Sequence, residues 1–169
     1  MEKISILCAD TNSNYKQIPN LDVWDRARNA YNFTGSNPVI THAPCSQWSR
    51  LRGLAHENQL EKDLAFFCLE KVKNNGGIFE HPEGSIFFKT AGIKPTIIID
   101  QGNFGFPAQK KTWLYFSRCN PLPLPPPVYS GFQISVNNMS SKRRSETTFP
   151  LIRWLVHSIY PTFTIPQIF

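Results

Sequence analysis

"NQLEKDLAFFCLEKVKNNGGIFEHPEG", residues 58–84, decides how the chain is read. Asn58 has a side-chain oxygen suited to capping a helix, and Glu61 follows three residues later, as a capping box requires. Leu60, Leu64, Phe67 and Cys68 recur on one helical face, with Lys62, Asp63, Glu70 and Lys73 mostly elsewhere. Cys68 is therefore read as core. "NNGG" (74–77) stops the helix with residues that tolerate a left-handed backbone. The apolar run that follows is a short strand closing on Glu80, His81 and Pro82. Upstream, "PVITHA" (38–43) is a second strand, entered through turn formers and ending at Pro44 and Cys45. A helix between two strands implies a right-handed crossover, so the strands run parallel and their C-terminal ends share a rim. Ligands bind at such rims. Cys45 and Glu80 are expected side by side.

Working outward, "ISILCA" (4–9) is a short buried strand. "LDVWDRARNAYNF" (21–33) reads as an extended piece to Trp24 and then a turn or two of helix. "PTIIID" (95–100) and "KTWLYFS" (111–117) read as a hairpin with a long loop. "NPLPLPPP" (120–127) is too rich in proline to pair as a central strand; it is either a stiff wrap around the domain or a PxxP ligand. Residues 139–149 form a polar loop. Residues 150–160 form a final amphipathic helix, with Pro150 in its first turn and Pro161 beyond its end. The expected fold is one α/β domain over 1–169, a truncated Rossmann-like, mostly parallel sheet with an antiparallel edge hairpin.

A chain of 169 residues can bury one substantial core. No apolar run approaches the roughly 20 residues of a membrane helix, and the N-terminus has no cleavage-site pattern. A cytoplasmic protein without a membrane partner is expected. Cys8, Cys45, Cys68 and Cys119 form no CxxC pair, which leaves a zinc site unsupported and reduced thiols the default. The formal charge of +6 suits a polyanionic partner such as nucleic acid, or serves solubility alone.

A cysteine and a glutamate on one rim have a specific joint use. A thiolate is a strong nucleophile once cationic neighbours lower its pKa, and His42, Arg50 and Arg52 are candidates for that. A carboxyl group near a pyrimidine can engage N3 and the exocyclic amine, making C6 electrophilic. Alternatively, Cys45 is a small thiol at a strand end.

"APCSQWS" (43–49) resembles the proline-cysteine loop of the cytosine-C5 DNA methyltransferases, with Pro44, Cys45, an aromatic at Trp48 and Ser49 matching. "IFEHPEG" (78–84) resembles their glutamate-asparagine motif, with Glu80 at the base-binding position and His81 in place of asparagine. "FGFPAQKKTWLYF" (104–116) resembles a later motif with proline, glutamine and basic residues, here Pro107, Gln109 and Lys111. The three occur in the family's order. The phrases around Cys45 and Glu80 also resemble those of small bacteriophage and prophage proteins, for which the host cytoplasm is the compartment.

The resemblance implies a DNA or nucleotide pyrimidine as partner, with catalytic Cys45 and Glu80. Pro44, Trp48, Ser49, Arg50, Arg52, His81, Gln109 and Lys111 would surround the substrate. It also implies S-adenosylmethionine as cofactor, yet the family's glycine-rich turn after the first strand has no counterpart, since no glycine stands between Met1 and Phe33. Asp10, Asp22 and Asp25 are the acidic residues available to hold a ribose. No metal is implied. Trp48 can be a core or lid aromatic or a base platform, and His81 can orient Glu80 or stand in for a cap. Arg50 and Arg52 can contact phosphate or only solvent. The alternative to an enzyme is a phage-type protein that binds DNA or a host protein on a degenerate methyltransferase fold.

Overall fold

The computed structural model describes residues 2–127 and 134–166, position 137 by its backbone alone; the rest of the expected 1–169 domain lies outside the described residues. Its strands are β1 (Ile4–Ala9), β2 (Leu21–Asp25), β3 (Val39–Thr41), β4 (Gly77–Pro82), β5 (Ile97–Asp100) and β6 (Lys111–Ser117). Its helices are α1 (Gln59–Asn75), α2 (Phe87–Thr90), α3 (Ser141–Arg144) and α4 (Phe149–Ile159). The strands form one sheet in the order β2-β1-β3-β4-β6-β5. β1, β2, β3 and β4 run parallel, and β6 runs antiparallel to both β4 and β5. The α/β, Rossmann-like class with an edge hairpin is the one observed.

Strand side chains alternate faces, and this sorts the core into two layers. Leu7, Val39 and Phe79 pack with Ala65, Cys68, Leu69 and Val72 of α1. Ile4, Ile6, Ile40, Ile78 and Leu114 pack with Leu151, Ile152, Leu155 and Val156 of α4. Each such buried aliphatic contributes about 1.5–3 kcal/mol against an exposed one. Close strand packing makes one glycine obligatory. Gly77 has φ +123, and a Cβ there would fall 1.9 Å from the Val39 carbonyl oxygen.

Several local expectations are corrected. Asn58 caps α1 by accepting the Glu61 N–H, but the Glu61 carboxylate takes the Ser46 hydroxyl, and Gln47 Oε1 accepts the Asn58 N–H. The box is thus half formed, because the preceding loop competes for its second bond. Leu60 is 72% exposed, outside the core face that Leu64 and Cys68 begin. After β2 the backbone makes only a short 3-10 turn at Ala30–Asn32. The polar stretch 139–149 contains α3, capped by Ser140, and α4 starts one residue early at Phe149. The proline-rich segment wraps onto α4: Trp154 Nε1–H donates to the Pro123 carbonyl, and Ser158 Oγ accepts the Leu122 N–H. No described helix is long and apolar enough to cross a membrane.

Candidate functional site

β1 is flanked by β2 on one side and β3 on the other, which makes the β1/β3 boundary the point where strand order reverses. Beyond the C-terminal ends of these strands lies a cleft of about 1530 Å³. Such a crevice is where open α/β sheets place ligands. Its walls include Cys45, Glu80 and Lys110.

β4 closes on Glu80, His81 and Pro82, as its sequence predicts. The register pairs Thr41 with Phe79, so the next residues, His42 and Glu80, face each other across the sheet. His42 Nδ1 lies 2.8 Å from Glu80 Oε2, and its Nε2 lies 2.9 Å from the Tyr15 hydroxyl. Tyr15 is fully buried, held on the turn after β1. With Nδ1–H donating to the carboxylate, Nε2 is left to the Tyr15 hydroxyl, and the three side chains form one hydrogen-bonded chain. Burial by itself would raise the Glu80 pKa, but the His42 hydrogen bond, the His42 charge, Lys110 and His81 outweigh it and lower it to about 2. Glu80 therefore enters the cleft as a carboxylate. Its Oε1 has no hydrogen bond among the described residues.

Cys45 stands in the turn after β3, where its carbonyl accepts the N–H groups of Trp48 and Ser49. The thiol keeps solvent access within a concave wall. Burial and the Glu80 charge push its pKa up, and Lys110 partly offsets them. This corrects the expectation that His42, Arg50 and Arg52 activate it. His42 has both ring nitrogens engaged, Arg50 lies 3.7 Å from the Glu83 carboxylate, and Arg52 donates to the Ser49 carbonyl. The cation that matters is Lys110. Its ammonium donates to the Arg144 carbonyl at 2.7 Å and lies 5.0 Å from the Phe106 ring centroid, and burial lowers its pKa.

Other expected site residues divide cleanly. Ser49, Arg50, Gln109 and Lys111 line the cleft, whereas Pro44, Trp48, Arg52 and His81 do not. Trp48 is core, edge-on to Phe66 and Phe87. His81 points to the α1 face, opposite Glu80, because neighbours in a strand alternate. It is buried against Phe79 and Phe87 with Nδ1 2.8 Å from Ser85 Oγ. Its Nε2 faces the Ala43 and Pro44 carbonyls without closing a hydrogen bond of standard geometry. Burial lowers its pKa to about 4.

No family model and no curated protein matches the chain. Its aspartates must be read from their surroundings. Asp25, at the end of β2, is bonded by Lys16 and by the Ala27 and Arg28 N–H groups. Asp22 is bonded by Ser5, Trp24 and Arg28. Only Asp10 lines the cleft, and Ser145 donates to it at 2.7 Å. Among the described residues, no group of three or more His, Cys, Asp or Glu is arranged to hold a metal ion.

Three features escaped sequence reading. Tyr15 was signalled only as the lone aromatic in a polar linker. Gln47 is buried and clamps its loop, donating to the His56 carbonyl at 2.8 Å. Residues 134–147 line the cleft as a strap, tied by Lys110 to Arg144, Ser145 to Asp10 and Asn14 to Thr147. Met139 seats beside Phe106 and Ala108 to anchor it.

Proposed function

We propose that the protein acts on a pyrimidine base, with Cys45 adding to C6 and Glu80 binding the N3 and amine edge. The observation that carries this reading is a carboxylate, anchored by His42 and Tyr15, sharing one cleft with an accessible thiol. An ionised Glu80 accepts the exocyclic N–H of cytosine and favours a proton on N3, which draws electrons from C6. The thiol then adds across C5=C6: the Sγ–C6 bond forms and the proton is delivered to C5, with elimination as the reverse. This step needs no cofactor. A hydrolytic cysteine–histidine pair is a poorer reading, because His42 spends both nitrogens on Tyr15 and Glu80 and has none for the thiol.

The resemblance to cytosine-C5 DNA methyltransferases supports the choice of base. Their cofactor fits this chain poorly. Asp22 and Asp25 are occupied by neighbours, and Ser145 of the strap holds Asp10. The proposed chemistry is therefore confined to reversible addition and the C5 activation it brings.

Exchange of the C5 hydrogen of cytosine with solvent deuterium tests it directly. Exchange that disappears in Cys45→Ala and falls in Glu80→Gln supports the reading. Folded wild-type protein that exchanges no hydrogen, on nucleotide or oligonucleotide, and forms no adduct with 5-fluorocytosine overturns it in favour of a non-catalytic binding protein.

A further inference from the structure

The cleft carries two kinds of side chain that a single pyrimidine nucleotide cannot use together. One is cationic: Arg50, Lys110, Lys111 and Arg144 line the cleft, with Arg50 3.7 Å from the Glu83 carboxylate. The second is apolar. Leu51, Leu54 and Ile134 line the same cleft and are 51%, 85% and 46% exposed. Leu51 and Leu54 do not project from slack chain. Gln47 clamps the loop to the His56 carbonyl and the Asn58 N–H, and the Ile86 N–H donates to the Trp48 carbonyl at 2.9 Å. Isolated exposed leucines need no explanation, but three aliphatic side chains lining one cleft beside four cationic ones do.

A duplex offers phosphates and groove edges while its base faces stay stacked inside, so it has nothing for these leucines to cover. A free nucleotide offers a single base and a single phosphate group. A single strand offers both features repeatedly, a charged backbone and bare base faces; proteins that hold it combine cations with stacking platforms, usually aromatic, and here aliphatic side chains offer that apolar contact. Volume agrees, because a cleft of about 1530 Å³ exceeds the roughly 300–1,000 Å³ typical of a small-molecule site. The strap adds Ser141, Arg144 and Ser145 to the lining of the same cleft. It is fixed there by the Lys110 and Ser145 hydrogen bonds and by the Met139 anchor.

We infer that the cleft takes a single-stranded polynucleotide, its phosphates on Arg50 and the Lys110–Arg144 side and its flanking bases on Leu51, Leu54 and Ile134. The inference rests on the pyrimidine reading for the base at the cleft floor. The strand track itself is independent of the chemistry.

The experiment uses the full chain with Cys45→Ser, so that binding is read without covalent capture. Fluorescence anisotropy is measured with a 12-nucleotide cytosine-rich DNA strand, the same sequence as duplex, the same sequence as RNA, and dCMP as competitor. The single strand is expected to bind at least about tenfold tighter than duplex or dCMP. Leu51→Ser with Leu54→Ser, both on the surface and harmless to folding, is expected to weaken it about tenfold with an unchanged salt slope. Arg50→Ala is expected to reduce the salt slope by about 0.7, the share of one phosphate contact. Equal binding of DNA and RNA strands, or preference for either, supports the track and identifies how the sugar is read. Duplex or dCMP binding as tightly as the strand, or a leucine pair without effect, overturns it. Hydrogen exchange on dCMP with no strand preference would remove the track and leave the pyrimidine chemistry. Strand-selective binding without any exchange would do the reverse.

Discussion

His42 and Glu80 occupy matching positions on adjacent parallel strands, 38 residues apart in sequence and 2.8 Å apart in space. Each is mostly buried, with side-chain exposures of 17% and 14%. The pair couples the stability of the sheet to the charge state of the cleft.

Removing the histidine leaves the carboxylate half-desolvated with no donor. His42→Ala is expected to destabilise the fold by about 2 kcal/mol, the usual loss for a hydrogen bond to a charged group. Urea denaturation at neutral pH measures it. A conservative His42→Asn should recover part of the loss, since its amide can still donate.

Acid should unfold the protein in two overlapping stages. Glu80 is held at about 2 against 4.5 for the free side chain, so its contribution is complete above 4.5 and is lost as pH falls toward 2. His81 is held at about 4 against 6.5, which favours the neutral ring; its contribution is complete above 6.5 and is lost as pH falls toward 4. Stability measured across this range should decline from about pH 6.5 downward. His81→Asn should flatten the upper stage alone, and His42→Ala the lower.

Cys45 should behave as a slow thiol in the free protein. Its raised pKa predicts that alkylation by iodoacetamide climbs about tenfold per pH unit without a plateau below pH 9. Glu80→Gln removes a raising charge and should accelerate alkylation at fixed pH, whereas Lys110→Met should slow it. Peptide mass spectrometry distinguishes Cys45 from Cys8 and Cys119, the other thiols with solvent access.

Gly77 should tolerate no side chain. An alanine Cβ would collide with the Val39 carbonyl oxygen and sit in a left-handed backbone, a clash relieved only by parting β3 from β4. Gly77→Ala is expected to cost about 3 kcal/mol or more and to lower the thermal midpoint by over about 6 °C. Gly53→Ala, with open space around its Cβ, is the control.

The crossover from β3 through α1 to β4 was legible because its signals are local: a cap at Asn58, helical periodicity and the "NNGG" stop. Those signals brought Cys45 and Glu80 to one cleft. They did not reveal that Glu80 meets His42 across the sheet, a matter of register with β3. Strand alternation alone separates His81 from Glu80. The strap was illegible because "SSKRRSETT" has no apolar pattern, and its place is set by Lys110, Asp10 and Asn14, residues far away in the chain. Tyr15 was hidden similarly, since its partner His42 is 27 residues downstream.

The strand order also dictates when the molecule can be finished. β5 precedes β6 in the chain, yet it lies outside it and touches the sheet only through β6. Until Lys111–Ser117 pairs with β4, β5 has no docking partner and the β4 edge is bare. A nascent chain that has emerged only through Asp100 therefore carries two unsatisfied edges, one of them the apolar "TIIID". Ribosome pausing in that interval, or cleavage in the β5–β6 loop before pairing, creates the species most prone to aggregate. Closure of the sheet and completion of the Lys110 side of the cleft are then a single, late event.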